Sequence, residues 1–294
     1  MESSNCSQKL AVLLTCYNRR AITLECLDSL FCQELSVNMS LEVYLVDDGS
    51  TDGTGNAVKQ MFPDVNVIAG SGNLYWGGGM RLAWETAMER DFDFYLWLND
   101  DTLLLPDALT TLFAAVNSLN ENSGSFPGII VGSTFNAITG VHTYGGSIQI
   151  KEYALDFRPV VPSGSLEPCD TFNGNCVLVS REAFHELGNL SQEFTHAMGD
   201  IDYGLRAKKK RIPIWVAPKY VGRCSNNPTP VWLDNALTLR KRIRNLNGPK
   251  GLPPQEWSLF CRRHTGWRWP CKVVKVYLRV LAPATWDRLR GILR

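Results

Sequence analysis

WLNDDTLLLPDAL, residues 97–109, joins an apolar run to two adjacent carboxylates and then to a second apolar segment. The run Phe94-Tyr95-Leu96-Trp97-Leu98 has no charged residue, which suits a strand covered on both faces. It ends abruptly in Asn99-Asp100-Asp101. One reading makes Asp101 or Thr102 the cap of the helix containing Pro106, which would use a single acid. A second acid beside the first is unfavourable without compensation. Hard carboxylate oxygens suit magnesium or manganese shared with a phosphate, so a divalent cation is the other reading.

Three more apolar runs precede this one: Leu10–Cys16, Val43–Val46 and Val65–Ala69. Segments with helical spacing separate them, as in Ala21–Phe31 and Met80–Arg90. Strands alternating with helices predict right-handed βαβ units, a mostly parallel Rossmann-like sheet and flanking helices. In such sheets ligands bind beyond the carboxyl ends of the strands. Here those ends carry Thr15-Cys16-Tyr17-Asn18-Arg19, Asp47-Asp48-Gly49-Ser50, Gly70-Ser71-Gly72-Asn73 and Asn99-Asp100-Asp101. From about residue 125 to 180 the texture turns Gly-rich and β-favouring. Helices near Arg181–Leu187 and from about Asp200 to Lys210 follow, then a strand over Ile212–Ala217.

VDDGSTDGT (46–54) is either a tight turn or a site for a base and ribose. Calcium is excluded, because Lys59 stands where an EF-hand loop needs its bidentate Glu. GSGNLYWGGGM (70–80) fails the dinucleotide fingerprint, with Tyr75 at the third glycine position. It reads as a mobile Gly-rich loop opening a helix, whose N–H groups could meet a phosphate. MGDIDYGLRAKKKR (198–211) sets Asp200 and Asp202 at a helix start and Lys/Arg at its end. That pattern complements the helix dipole, and it equally keeps a general base ionised. His142, His185, His196 and His264 read as structural histidines, and no nucleophilic triad is evident.

At 294 residues, 45% hydrophobic, 20% charged and with a net charge of +1, the chain is an ordinary globular protein with no footprint for nucleic acid. Nine scattered cysteines without metal-ligand spacing fit reduced thiols. LAVLLTC near the N-terminus reads as a strand and not as a signal peptide, and no run approaches the roughly 20 apolar residues a spanning helix needs. The expected location is cytoplasmic.

Taken in order, TCYNRR, VDDGSTDGT, GNLYWGGGMRLAW, WLNDDT, FNGNCVLVSREAFHELG and GDIDYGLRAKK resemble the family-2 glycosyltransferases of GT-A fold, most closely the bacterial rhamnosyltransferase-like branch. The resemblance runs from about Lys9 to Asn227. It implies that Thr15, Tyr17, Asn18, Arg19 and Asp48 hold a nucleotide, with Gly72, Asn73, Asp100 and Arg223 completing a nucleotide-sugar site. It makes Asp101 the ligand of magnesium or manganese and Asp200 the catalytic base. Trp76, Asn175 and Asp202 become acceptor contacts by analogy. The chain departs from the family pattern at Asn99, where the first acid of Asp-x-Asp is expected, and at Gly199, where a Glu is expected. The stretch Tyr220–Asn226 lacks the histidine that some relatives place near the diphosphate.

The resemblance thus implies an inverting transferase that uses a dTDP- or UDP-linked sugar, dTDP-rhamnose first among them, and a saccharide or lipid-linked acceptor in cell-surface polysaccharide synthesis. Residues 1–230 would form the GT-A domain, with its nucleotide part at about 9–120 and its acceptor part at about 121–230. Residues 231–294 would form a basic, Trp-rich helical extension. Its segment 261–294 carries Arg262, Arg263, Arg268, Lys272, Lys275, Arg279, Arg288, Arg290 and Arg294, interleaved with Trp267, Trp269 and Trp286. Such a segment suits peripheral contact with the cytoplasmic face of the inner membrane, or else a terminal helix packed on the domain. Two other classes share these features: a non-catalytic relative that binds nucleotide sugar, and a metal-dependent nucleotidyltransferase. The second usually has a Gly-rich N-terminal triphosphate loop, and TCYNRR has no glycine.

Overall fold

The computed structural model describes residues 8–34, 38–120 and 126–283. Strands and helices alternate through the first third: β1 (Gln8–Cys16), α1 (Arg20–Phe31), β2 (Met39–Asp47), α2 (Thr54–Met61), β3 (Val65–Ala69), α3 (Tyr75–Ala87) and β4 (Phe94–Leu98). The middle holds β5 (Leu103–Leu104), α4 (Ala108–Asn120), β6 (Ile129–Phe135), β7 (Gly146–Gln149), β8 (Phe157–Pro159), β9 (Glu167–Pro168), β10 (Thr171–Phe172) and β11 (Cys176–Ser180). Then come α5 (Arg181–Leu187), α6 (Gly199–Lys209), β12 (Ile214–Arg223), α7 (Leu239–Leu246), α8 (Pro254–His264) and α9 (Trp269–Leu281).

The main sheet runs in the order β3-β2-β1-β4-β11-β6-β12-β5, with β9 also pairing β12. The β3-β2-β1-β4 half is parallel, as its continuous apolar runs predict, while β11 enters antiparallel between β4 and β6. Alternate residues of one strand serve two cores. Leu10, Val12 and Leu14 of β1 and Leu96 and Leu98 of β4 face a core with Leu27 and Leu30 of α1 and Leu109 and Leu112 of α4. Ala11 and Leu13 of β1 and Tyr95 and Trp97 of β4 face Met80, Ala83 and Trp84 of α3. That alternation is the period of two that a strand imposes on its side chains. The antiparallel β11 brings its first residue, Cys176, beside Leu98, the last of β4, so Asn175 lies next to Asn99.

Two expectations change here. Helix α3 begins at Tyr75, so Gly77, Gly78 and Gly79 lie inside a helix and not in a mobile loop. They are small because neighbours crowd them: a Cβ on Gly77 would stand 2.5 Å from the Phe194 carbonyl oxygen, and one on Gly79 2.1 Å from Thr15 Oγ1. Helix α4 begins at Ala108, after the intervening strand β5, so neither Asp101 nor Thr102 caps it.

The chain divides into two compact units, Met1–Ile148 with Arg158–Thr195 and Gly199–Asn226, and Gln149–Phe157 with His196–Met198 and Asn227–Arg294. In the second unit Trp232, Leu246 and Val280 form a small core, with Val276 and Tyr277 of α9 packed against it. Among the described residues no helix is long and apolar enough to cross a membrane. The described cysteines are free thiols.

Candidate active site

The loop after β1 is built around Asn18, which adopts φ +51°, a conformation Asn tolerates better than most residues. Its N–H donates to Ser50 Oγ, and its side-chain oxygen accepts from the backbone N–H of Thr51 and Asp52. The end of β1 is therefore tied to the loop after β2, with Tyr17 left exposed beside the junction. Asp47 and Asp48 hold that second loop from within. Asp47 accepts from the N–H groups of Ser50 and Gly55. Asp48, only 4% exposed, accepts from Gly72, Leu74 and Tyr75 at 2.8–2.9 Å. The N–H groups proposed for phosphate thus already have a carboxylate partner, and Asp48 shapes the 70–75 loop. Gly72 sits at φ +86°, and Asn73 beside it is exposed. Thr15 is half-buried against α3 at Gly79.

At the tip of β4 the paired acids meet Arg19. Its Nη1 donates to Asp100 Oδ1 at 2.7 Å and its Nη2 to Asp101 Oδ2 at 2.8 Å. Asp100 is buried, and Thr23 Oγ1 donates to its other oxygen at 3.3 Å. Burial pushes the Asp100 carboxyl up to about 6, against the pull of the Arg19 guanidinium and with the push of the Asp101 charge. On the other side of the pair, Cys224 Sγ lies 3.6 Å from Asp101 Oδ1. Burial, followed by that neighbouring charge, pushes the thiol up to about 12, so it remains a neutral donor. Arg223, which precedes it, is exposed at the end of β12.

Asn99 leads from the acids to Asp200. Its Oδ1 accepts the Trp76 indole N–H at 2.7 Å, and its own N–H donates to the Asn175 carbonyl at 3.0 Å. The Trp76 ring lies so close over Gly174 that a Cβ there would stand 2.5 Å from Cζ2. The Gly174 N–H donates in turn to Asp200 Oδ2 at 3.0 Å, while Asp200 Oδ1 accepts from Ile201. Burial raises the Asp200 carboxyl above the usual carboxylate range, and the N–H groups of Gly174 and Ile201 oppose that rise. The result is a base candidate at the first turn of α6, connected to the paired acids through Trp76 and Asn99.

Asp202 does not join this group. It is fully buried, and its Oδ2 is taken by Arg206 Nε at 3.0 Å and Ser191 Oγ at 2.8 Å, contacts that hold α6 in place. Asn175 is also buried, with Nδ2 at 3.5 Å from Thr102 Oγ1 and from Cys224 Sγ, so it braces the acid loop. Thr23, Cys224 and Gly174 were not singled out from the sequence. Thr23 had only a weak signal, its place in the first turn of α1 just after the Arg19 cap.

Among the described residues no three His, Cys, Asp or Glu side chains gather to hold a metal ion. The acid pair still fits a cation, since the chain's own guanidinium bridges it, and Asp101 Oδ1 meets only a thiol. A divalent ion held there by so few protein oxygens would need further oxygen ligands from phosphate or water, as magnesium commonly does.

A mixed sheet with helices on both faces is the architecture of the GT-A glycosyltransferases, and solved structures share that fold. The mannosyltransferase PcManGT from Pyrobaculum calidifontis, in complex with GDP-Man and Mn2+, aligns with 97% of this chain and 79% of its own at TM-score 0.52 and 17% identity. S. aureus TarS 1–349 in complex with UDP-GlcNAc aligns with 93% of this chain and 81% of its own at TM-score 0.54 and 15% identity. The glycosyl transferase family 2 profile matches residues 11–188, more than half of the sequence, and the chain belongs to that family. It is similar to the N-acetylglucosaminyl-diphospho-decaprenol L-rhamnosyltransferase of Mycobacterium tuberculosis, with 24% identity over 201 residues. That match covers 60% of this chain and spans 63% of the relative's length.

Proposed function

We propose that the protein is an inverting glycosyltransferase that moves a sugar from a nucleoside diphosphate to a saccharide or lipid-linked acceptor in cell-surface polysaccharide synthesis. The observation that carries this reading is the run of contacts Asn99–Trp76–Gly174–Asp200, which joins a carboxylate base to the acid pair. The family assignment and the named activity of the mycobacterial relative support it. Rhamnose from dTDP-rhamnose is the first donor to test, followed by UDP-linked sugars.

In this account the nucleotide rests on Tyr17, Asn18, Gly72 and Asn73, with Thr15 and Asp48 shaping the floor beneath it. Arg19 and Arg223 offer positive charge to the diphosphate. Asp101, with Asp100 beside it, would hold a magnesium or manganese ion, whose chemistry when bound is to neutralise charge on the departing diphosphate. The Asp200 carboxylate takes the proton of the acceptor hydroxyl, and that oxygen attacks the anomeric carbon from the face opposite the diphosphate. One glycosidic bond forms as the bond to diphosphate breaks, with inversion. Trp76 bounds the acceptor side, and Asp202 and Asn175 act as supports.

Contact with an anionic lipid surface would bring the enzyme to a lipid-linked acceptor. Helix α9 buries Val280 and packs the half-buried Val276 beside it, but leaves Val274, Leu278 and Leu281 exposed, with Lys275 on the same helix exposed as well. Trp286, Arg288, Arg290 and Arg294 lie outside the described residues. Co-sedimentation with anionic vesicles should fall in the double variant Leu278→Glu/Lys275→Glu, and unchanged co-sedimentation removes this contact.

The test of the function is a product assay. The purified chain would be incubated with dTDP-rhamnose and a panel of UDP-sugars, divalent cation and a polyprenyl-diphosphate N-acetylglucosamine acceptor. Mass spectrometry should find a product one sugar heavier, and NMR should find the anomeric configuration inverted. Release of pyrophosphate from a nucleoside triphosphate would instead mark a nucleotidyltransferase. Donor binding without transfer or hydrolysis would mark a non-catalytic relative.

A further inference from the structure

The same guanidinium that pairs both acids stands where a metal would have to reach them. Arg19 spends one nitrogen on each carboxylate, at 2.7 and 2.8 Å, and so bridges two side chains that would otherwise repel. Its own side chain is 45% exposed, against 6% for Asp100 and 18% for Asp101, so it covers the acids on their solvent side. The backbone that aims it is held on both flanks. Asn18 is fastened to Ser50 and Thr51, and the Arg20 N–H donates to Asp52 Oδ2 at 3.1 Å.

The geometry points to Arg19 as a resident counter-cation that makes metal binding conditional on the donor. This inference rests on the transferase reading above and on Asp101 as the metal ligand. A free divalent ion approaching Asp101 competes with a guanidinium already bonded to Oδ2, and displacing it gives up the charge-assisted hydrogen bonds that Arg19 makes to both acids. A nucleoside diphosphate changes that balance. A guanidinium fork pairs with phosphate oxygens as well as with carboxylates, so Arg19 can exchange the acids for the diphosphate. The acids are then released to the metal in the same event. Linkage requires the effect to be reciprocal: nucleotide tightens metal by the factor by which metal tightens nucleotide.

Binding of Mn2+ to the full chain, read by electron paramagnetic resonance without nucleotide and with dTDP or UDP, tests this directly. The wild-type chain should bind Mn2+ at least tenfold more tightly with its nucleotide than without. Arg19→Gln should bind Mn2+ alone at least tenfold more tightly than the wild type, and the coupling between the two ligands should fall towards unity. Arg19→Lys should lie between them, since a single ammonium cannot fork across both carboxylates; it also serves if Arg19→Gln does not fold. Equal Mn2+ affinity of wild type and variants without nucleotide, or weaker binding in Arg19→Gln, overturns the inference. If dTDP or UDP raises the melting temperature but neither chain binds Mn2+ under any condition, metal ligation at Asp101 fails and the inference fails with it. If no nucleotide binds at all, the failure lies with the transferase reading.

Discussion

Gly174→Ala and Gly199→Ala place one methyl group each beside the same Trp76 ring, and the structure assigns them opposite outcomes. At Gly174 the new Cβ would stand 2.5 Å from Cζ2 and 2.8 Å from Cη2. Carbon atoms rest at about 3.5–4.0 Å, so the ring must retreat by about 1 Å. The indole N–H now lies 2.7 Å from Asn99 Oδ1, and a retreat of that size takes it past hydrogen-bond range. Overpacking of this kind costs about 1–3 kcal/mol. For a domain of about 200 residues each kcal/mol moves Tm by about 2–4 °C, which gives a fall of about 2–12 °C. The larger effect should be on turnover, because the Gly174 N–H seats Asp200, and a displacement of about 1 Å at a catalytic group can cost about 100-fold. At Gly199 the nearest atoms to the new Cβ are Trp76 Cζ3 at 3.6 Å and Phe194 Cβ at 3.8 Å, which is ordinary contact. That variant should keep wild-type stability to within about 1 kcal/mol, since Gly199 opens α6 and the full gain of Ala over Gly belongs to a helix interior. Thermal melts and steady-state transfer rates on both variants read the contrast. Wild-type Tm and rate in Gly174→Ala, or equal damage in both, would refute the argument that Trp76 bears on Asp200 through Gly174.

Asp48→Asn should remove a carboxylate that accepts three loop N–H groups, at a cost of about 2–3 kcal/mol in urea unfolding, and weaken nucleotide binding; unchanged stability would contradict the role given to Asp48. The pH profile should carry the mark of Asp200. A base works ionised, and burial raises this carboxyl, so the acidic limb of kcat/KM should fall at higher pH than for an ordinary carboxylate. A limb at the ordinary carboxylate position would point to a different base.

Much of the fold was legible because burial on both faces leaves a plain mark. Leu10–Leu14 and Phe94–Leu98 are continuous apolar runs since alternate residues enter different cores. The order of motifs along the chain carried the family. What stayed hidden were contacts between segments distant in sequence. The glycines at 77–79 read as a loop because the Phe194 carbonyl and the Thr15 hydroxyl that crowd them lie far along the chain. The second task of Asp48, shaping the 70–75 loop, was hidden because nothing local shows that it accepts from Gly72, Leu74 and Tyr75. Asp202 resembled Asp200 in sequence, yet two residues, about half a turn of helix, aim it at Arg206 and Ser191 in the interior. Asn99 looked like a lost acid, and its amide oxygen instead anchors Trp76.

In the proposed mechanism Asp200 is the base of a sugar transfer whose donor is held by other residues. The most direct measurement compares wild type with Asp200→Asn in two assays on the same preparations: sugar transfer from the active donor, and the thermal shift produced by its nucleoside diphosphate with Mn2+. Transfer should be lost while the nucleotide shift stays close to wild type. Transfer at the wild-type rate in Asp200→Asn would contradict it, and the proton would then have to leave through another group.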